Sequence, residues 1–219
     1  MAEEKLKESA DQTDKQDQEV QYMSEALFLA NSYTRMLEER DSLERKLAGS
    51  WVYTKDMAIA DLNNISVSYD GERVQSSNIS NPTERIVLKI NDERYMARKQ
   101  AEMDAEKAAC ARELKYVSWK VGVVKTAVRE RMSDELQDMF TLQYKGHKTY
   151  RETQRILLKK RGQKVCDQTI FNQKMDCVEM IIQELTLRSC SGLDDHFLIM
   201  LHREAMKGDC SPDTQEVNS

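Results

Sequence analysis

Residues 157–174, LLKKRGQKVCDQTIFNQK, hold a helix stop, a turn and a helix start in succession. Gly162 suits the stop because glycine reaches left-handed backbone at little steric cost. QKVC follows as a turn. DQTIFNQKMDCVEMIIQELTL (167–187) then places Phe171, Met175, Val178, Ile182 and Leu185 at alternating spacings of four and three, flanked by Ile170, Cys177 and Ile181, which predicts an amphipathic helix. Upstream, TYRETQRILLKKRG (149–162) reads as a second helix with Tyr150, Ile156 and Leu157 turned inward. Before it, SDELQDMFTLQYKG (133–146) starts on Ser133 as cap, ends on Gly146 and carries Leu136, Met139, Phe140 and Tyr144 as its apolar stripe. Short helices with their apolar faces turned together, the last two joined by a turn, form a helix-turn-helix pattern.

Charge placement suggests what this bundle binds. Residues 145–174 carry nine Lys/Arg against two acids, a local +7, so the remainder carries −12 in a chain whose net charge is −5. Gln168, Thr169, Asn172 and Gln173 fall opposite or beside the apolar stripe of the last helix, and acids begin again at Asp176. Amides and hydroxyls can hydrogen-bond base edges in a major groove, whereas Asp176 and Glu179 are repelled by phosphate, so only the N-terminal end of this helix suits a groove. Lys148, Arg151, Lys159, Lys160, Arg161 and Lys164 are the expected phosphate contacts, which set register without choosing sequence. The helix dipole at that end favours the same arrangement. Double-stranded DNA is the expected partner. Lys174 falls on the apolar side and is expected to snorkel.

The rest of the chain reads as scaffold. Seven Gly and two Pro in 219 residues leave few breaks, so the expected fold is all-α: an elongated, coiled-coil-like long-helix arm over 24–132, then a helix-turn-helix bundle with a C-terminal helix over 133–208. Residues 1–23 and 209–219 are expected to be disordered tails, the first of them acidic. In SEALFLANSYTRMLEERDSLERKLAG, Ser24 is the expected cap, Gly49 the stop, and Ala26, Leu29, Tyr33, Met36, Arg40, Leu43 and Leu47 a coiled-coil seam. A connector is expected around 61–80, followed by Asn81, Pro82 and Glu84 as the start of a helix of about 50 residues, roughly 75 Å long at 1.5 Å per residue. Its expected apolar positions are Ile86, Ile90, Ala97, Ala101, Ala108, Ala111, Leu114, Val117, Val121, Val124 and Val128. Small residues there allow close helix approach, and a homo-oligomer is expected. The last helix, SGLDDHFLIMLHREAMKG, is read with Ser191 as cap, Gly208 as stop, and Leu193, Phe197, Met200 and Leu201 packing.

Other classes fit less well. ALFLA (26–30) is far too short to span a bilayer, and the first 25 residues hold eight acids and three lysines, unlike a secretory signal, so no membrane partner and a cytoplasmic location are expected. Five cysteines without a CxxC argue for reduced thiols, and the spacing of Cys190, His196, His202 and Cys210 matches no common zinc site. With three histidines, no paired-carboxylate motif and no Gly-rich phosphate loop, neither an enzyme nor a cofactor is expected. A structural coiled-coil assembly or scaffold protein without sequence-specific DNA binding is the alternative. It accounts for the long helices but not for the basic window.

The stretch SYDGERVQSSNISNPTERIVLKI (68–90), the long charged helix, LQDMFTLQYKGHKTYRE (136–152) and QTIFNQKMDCVEMI (168–181) resemble phage and prophage transcriptional regulators of the ArpU/RinA kind, whose C-terminal part is similar to region 4 of sigma factors. RVQSSN (73–78) is the most particular piece. The resemblance implies a sequence-specific regulator working in a bacterial host cell with the host RNA polymerase as a further partner. Asn172 and Lys174 depart from the family's usual Arg and His, and the link between Thr149 and Thr169 is longer than the family's, so those two contacts do not carry over.

Overall fold

The computed structural model describes residues 22–65, 91–162, 164–192 and 194–208. Their regular structure is helical throughout: α1 (Met23–Ala48), α2 (Lys55–Ile65), α3 (Glu93–Glu130), α4 (Asp134–Phe140) continued by a π-turn (Thr141–Lys145), α5 (Tyr150–Arg161), α6 (Asp167–Ser191) and α7 (Asp195–Gly208). The all-α expectation holds. Among the described residues no helix is long and apolar enough to cross a membrane. Residues 1–21 and 209–219 of the expected tails, most of the connector, the Asn81, Pro82 and Glu84 start, and Ile86, Ile90, Leu193 and Cys210 lie outside the described residues, whereas Met23, expected in the first tail, opens α1.

The chain forms two compact units, Met1–Asp41 with Lys115–Ser219, and Ser42–Leu114. The division runs through α1 and α3 rather than at 132/133, because the first part of α1 and the last part of α3 belong with the C-terminal helices. Tyr33 meets Phe140 edge-on at 5.5 Å, Lys120 Nζ pairs with Glu204 at 2.9 Å, and Tyr116, Trp119 and Phe197 form an aromatic cluster with centroids 5.4–6.3 Å apart. Leu29 and Met36 of α1, Val117 and Val124 of α3, and Leu201 of α7 are buried in this unit.

In Ser42–Leu114, side chains anchor the irregular segment between α1 and α2. Gln100 accepts from the Tyr53 N–H at 2.8 Å and donates to the Trp51 carbonyl at 2.9 Å, giving both backbone groups the partner that an isolated segment needs. Tyr53 reaches Asp61 at 2.7 Å, and the Thr54 hydroxyl accepts from the Met57 N–H at 3.3 Å to start α2.

Three starts and one stripe differ from expectation. Ser24 lies inside α1 and bonds Glu25; the Tyr22 carbonyl instead accepts the first helical bond, and the Tyr22 hydroxyl is fixed to Ser189 at 3.0 Å. Asp92 interrupts the expected continuous helix, its carboxylate accepting from the Arg94 N–H at 3.0 Å as an N-cap. Ser191 ends α6 rather than opening α7, and donates to the Arg188 carbonyl, while the Asp194 carbonyl receives the first bonds of α7. Along α3 the alanines Ala97, Ala101, Ala108 and Ala111 are exposed, and the covered seam is Met96, Met103, Cys110, Val117 and Val124, one residue every seven. Methionine, cysteine and valine bury more apolar surface than alanine, so they set the phase.

Candidate nucleic-acid interface

Local chemistry sets the boundaries of α4, α5 and α6. Ser133 caps α4, its hydroxyl accepting from the Leu136 N–H at 3.4 Å. Thr149 opens α5 with a reciprocal capping box: it accepts from the Glu152 N–H at 3.3 Å while Glu152 accepts from the Thr149 N–H at 3.0 Å. That backbone bond holds the Glu152 carboxyl below its ordinary value. Gly162 closes α5 at φ 70°, a left-handed conformation that strains any residue with a Cβ, and hands the chain to the turn before Cys166.

The π-turn fixes where α5 and α6 sit. Gln143 and Tyr144 are both buried in this turn. Gln143 Nε2 donates to Thr153 of α5 at 2.6 Å, and the Tyr144 hydroxyl donates to the Lys174 carbonyl of α6 at 3.2 Å. Burial raises the Tyr144 phenol above its ordinary value, so it stays a donor. Below it, Ile170, Cys177, Val178, Ile181, Ile182 and Leu185 form the inward face of α6, and burial pushes the Cys177 thiol up to about 12. Lys174 is half-buried beside this face, with its ammonium 5.1 Å from the Tyr144 ring centroid in a cation–π contact.

Two inward assignments are corrected. Ile156 is exposed; Thr153 and Leu157, one turn apart, are the buried positions of α5. Phe171 is 49% exposed, because Ile170 takes the inward place at the start of α6. The signal for both is present in the sequence: stepping by three and four back from Ile181 through Val178 or Cys177 arrives at Ile170 as readily as at Phe171, and polar Thr153 hides its inward role.

The candidate base contacts separate into two groups. Gln168, Thr169 and Asn172 are exposed on the first turns of α6, with Gln168 Nε2 donating to Asn172 Oδ1 at 2.9 Å. Gln173 is half-buried, its Oε1 enclosed without a hydrogen-bond partner, so it does not share that face. Gln154 of α5 donates to Asp167 at 2.7 Å, which sets the middle of α5 beside the start of α6 and Arg151 one turn away.

The phosphate candidates divide in the same manner. Lys148, Arg151, Lys159 and Lys164 are exposed and make no salt bridge among the described residues. Lys160 and Arg161 instead face α4: Lys160 Nζ reaches the Asp138 carboxylate at 2.6 Å, and Arg161 reaches Asp138 at 3.0 Å and the Glu135 carboxylate at 3.7 Å. These pairs couple residues more than 20 apart in sequence. The Lys160 hydrogen bond, with Arg161 beside it, holds the Asp138 carboxyl below its ordinary value. A depressed carboxyl contributes stability that is present above its unfolded value and is lost as pH falls through its lower folded value. Asp138→Asn is therefore expected to cost about 1 kcal/mol at neutral pH and progressively less below about pH 4. Urea unfolding at pH 7 and pH 3 measures it; a pH-independent difference rules out the ion pair as its source.

No family model, curated protein or solved structure matches the chain. The geometry alone carries the functional reading.

Proposed function

We propose that this chain is a sequence-specific DNA-binding transcriptional regulator of phage or prophage type, with α5 and α6 as its helix-turn-helix and the start of α6 as the recognition surface. The observation that carries the reading is the exposed polar ridge of Gln168 and Asn172 beside exposed cations that make no salt bridge among the described residues. Neutral donors and acceptors are what base edges accept, and available cations beside them are what phosphates need. The protein acts in the cytoplasm of a bacterial host, at promoters with the host RNA polymerase, and self-associates. The alternative, a coiled-coil component of phage assembly, is favoured by the seven-residue seam of α3 and differs in having no preferred DNA sequence.

A salt titration tests the electrostatic half of the reading. Alanine at Lys148, Arg151, Lys159 or Lys164 should weaken binding to all duplexes alike and flatten the slope of log K against log salt by about 0.9 for each phosphate left without its cation. Lys160→Ala and Arg161→Ala should chiefly lower stability, because both cations are held by α4. An unchanged slope in the combined four-residue variant makes those side chains a solvated surface.

A further inference from the structure

The exposed ring on α6 has no place in a reading built on amides alone. Phe171 cannot turn into the core, because Ile170 and Cys177 hold the inward face of the helix with no exposed surface of their own. It stands three residues after Gln168 and next to Asn172, so the three side chains share one ridge, and the two amides are bonded to each other across it at 2.9 Å. Helical side chains lean toward the helix N-terminus, which brings the ring over the turn occupied by Gln168, the end that suits a groove. The flanking Thr169 is also exposed. Covering a half-exposed aromatic ring within a neutral polar ridge with an apolar group in the complex is favourable. In a major groove the thymine C5-methyl is the apolar group that bases present.

We propose that Phe171 is a base-reading side chain that packs on the C5-methyl of a thymine, beside the base pair met by Gln168 and Asn172. The inference rests on α6 being the recognition helix. Amides suit adenine, whose edge offers an acceptor and a donor, so an adenine and a thymine in the same or adjacent pairs form the preferred step. Discrimination at the thymine comes from one buried methyl and not from hydrogen bonds. It is therefore insensitive to salt and small beside the amide contacts.

The test uses the full chain and a duplex selected by it from a random pool, with each thymine replaced in turn by uracil, which removes the methyl and leaves the hydrogen-bonding edge intact. At one position uracil should weaken the parent about fourfold, the equivalent of ~0.8 kcal/mol for one buried carbon. Phe171→Ala should bind thymine and uracil alike there, and Phe171→Leu should keep part of the difference. Both variants should match the parent in helicity and melting temperature, since the ring is outside the core. Sequence-specific binding without any position at which Phe171→Ala erases the uracil effect overturns the inference and leaves the proposed function standing. A change in self-association by Phe171→Ala with the uracil effect retained assigns the ring to a protein contact and also overturns it. If the pool yields no preferred sequence, the DNA reading falls and this inference with it.

Discussion

Replacing Glu184 with Ala is expected to destabilise the protein by about 3 kcal/mol, the scale for removing one partner from a buried ion pair. Glu184 lies on α6 with only 7% of its side chain exposed. One oxygen accepts from Arg131 Nε and Nη2 at 3.1 and 3.0 Å, and the other accepts from Arg188 Nε at 2.9 Å. Arg131 stands between α3 and α4, and Arg188 extends on to Asp194 at 3.5 Å, beside the start of α7. A single carboxylate thus ties α6 to the α3–α4 junction and, through Arg188, to the start of α7. Its removal leaves Arg131 without its carboxylate and Arg188 with only Asp194, both side chains being about three-quarters covered. For a chain of this size the melting temperature should fall by roughly 6–12 °C. Because much of that loss is unpaired charge rather than lost packing, the triple replacement Glu184→Leu, Arg131→Met and Arg188→Met should recover most of it. Chemical denaturation of the three proteins decides the matter: a Glu184→Ala variant within 1 kcal/mol of the parent, or a triple variant less stable than the single, would show that the cluster does not pin α6 in this way.

Glu184 also illustrates what a linear reading can and cannot find. Helix boundaries set by neighbouring residues are legible: Ser133 caps α4, Gly146 follows its π-turn, and Gly162 closes α5 in left-handed backbone. Caps act within one turn, so their partners are adjacent in sequence. The phase of a helix is less secure. Isoleucine and phenylalanine at 170 and 171 satisfy the same period to within one residue, and tertiary packing buries Ile170. Alanine tolerates exposure at little cost, so an alanine stripe on α3 imitates a seam while Met96, Met103 and Cys110 lie on the covered side. Long-range pairs are not legible at all. The basic run of residues 159–161 reads as one cluster, yet folding turns Lys160 and Arg161 onto Asp138 and leaves Lys159 in solvent. Of the polar face on α6, Gln168, Thr169 and Asn172 are exposed as expected, Gln173 is drawn half inside, and Phe171 takes a place on the ridge.

That rearranged ridge sharpens the test of base recognition. The bond from Gln168 Nε2 to Asn172 Oδ1 leaves the Gln168 Oε1 as an acceptor and the Asn172 Nδ2 as a donor, held in fixed relation. Adenine presents the complement in the major groove, a donor at N6 and an acceptor at N7, and a well-made pair of such bonds is worth about 1 to 3 kcal/mol of discrimination. Gln168→Ala and Asn172→Ala should therefore each relax preference at the same base position, roughly 5- to 150-fold. The double variant should lose little more than either single one, since each removal undoes the shared arrangement. Neither side chain is charged, so non-specific affinity and salt slope should stay as in the parent. Gln173→Ala is the internal control: with its amide oxygen enclosed, it should leave every base preference intact. Competition against a set of single-base operator variants measures all four proteins. Relaxed preference in Gln173→Ala, with none in Gln168→Ala or Asn172→Ala, would place the readout on the other side of α6 and remove the exposed ridge as the recognition surface.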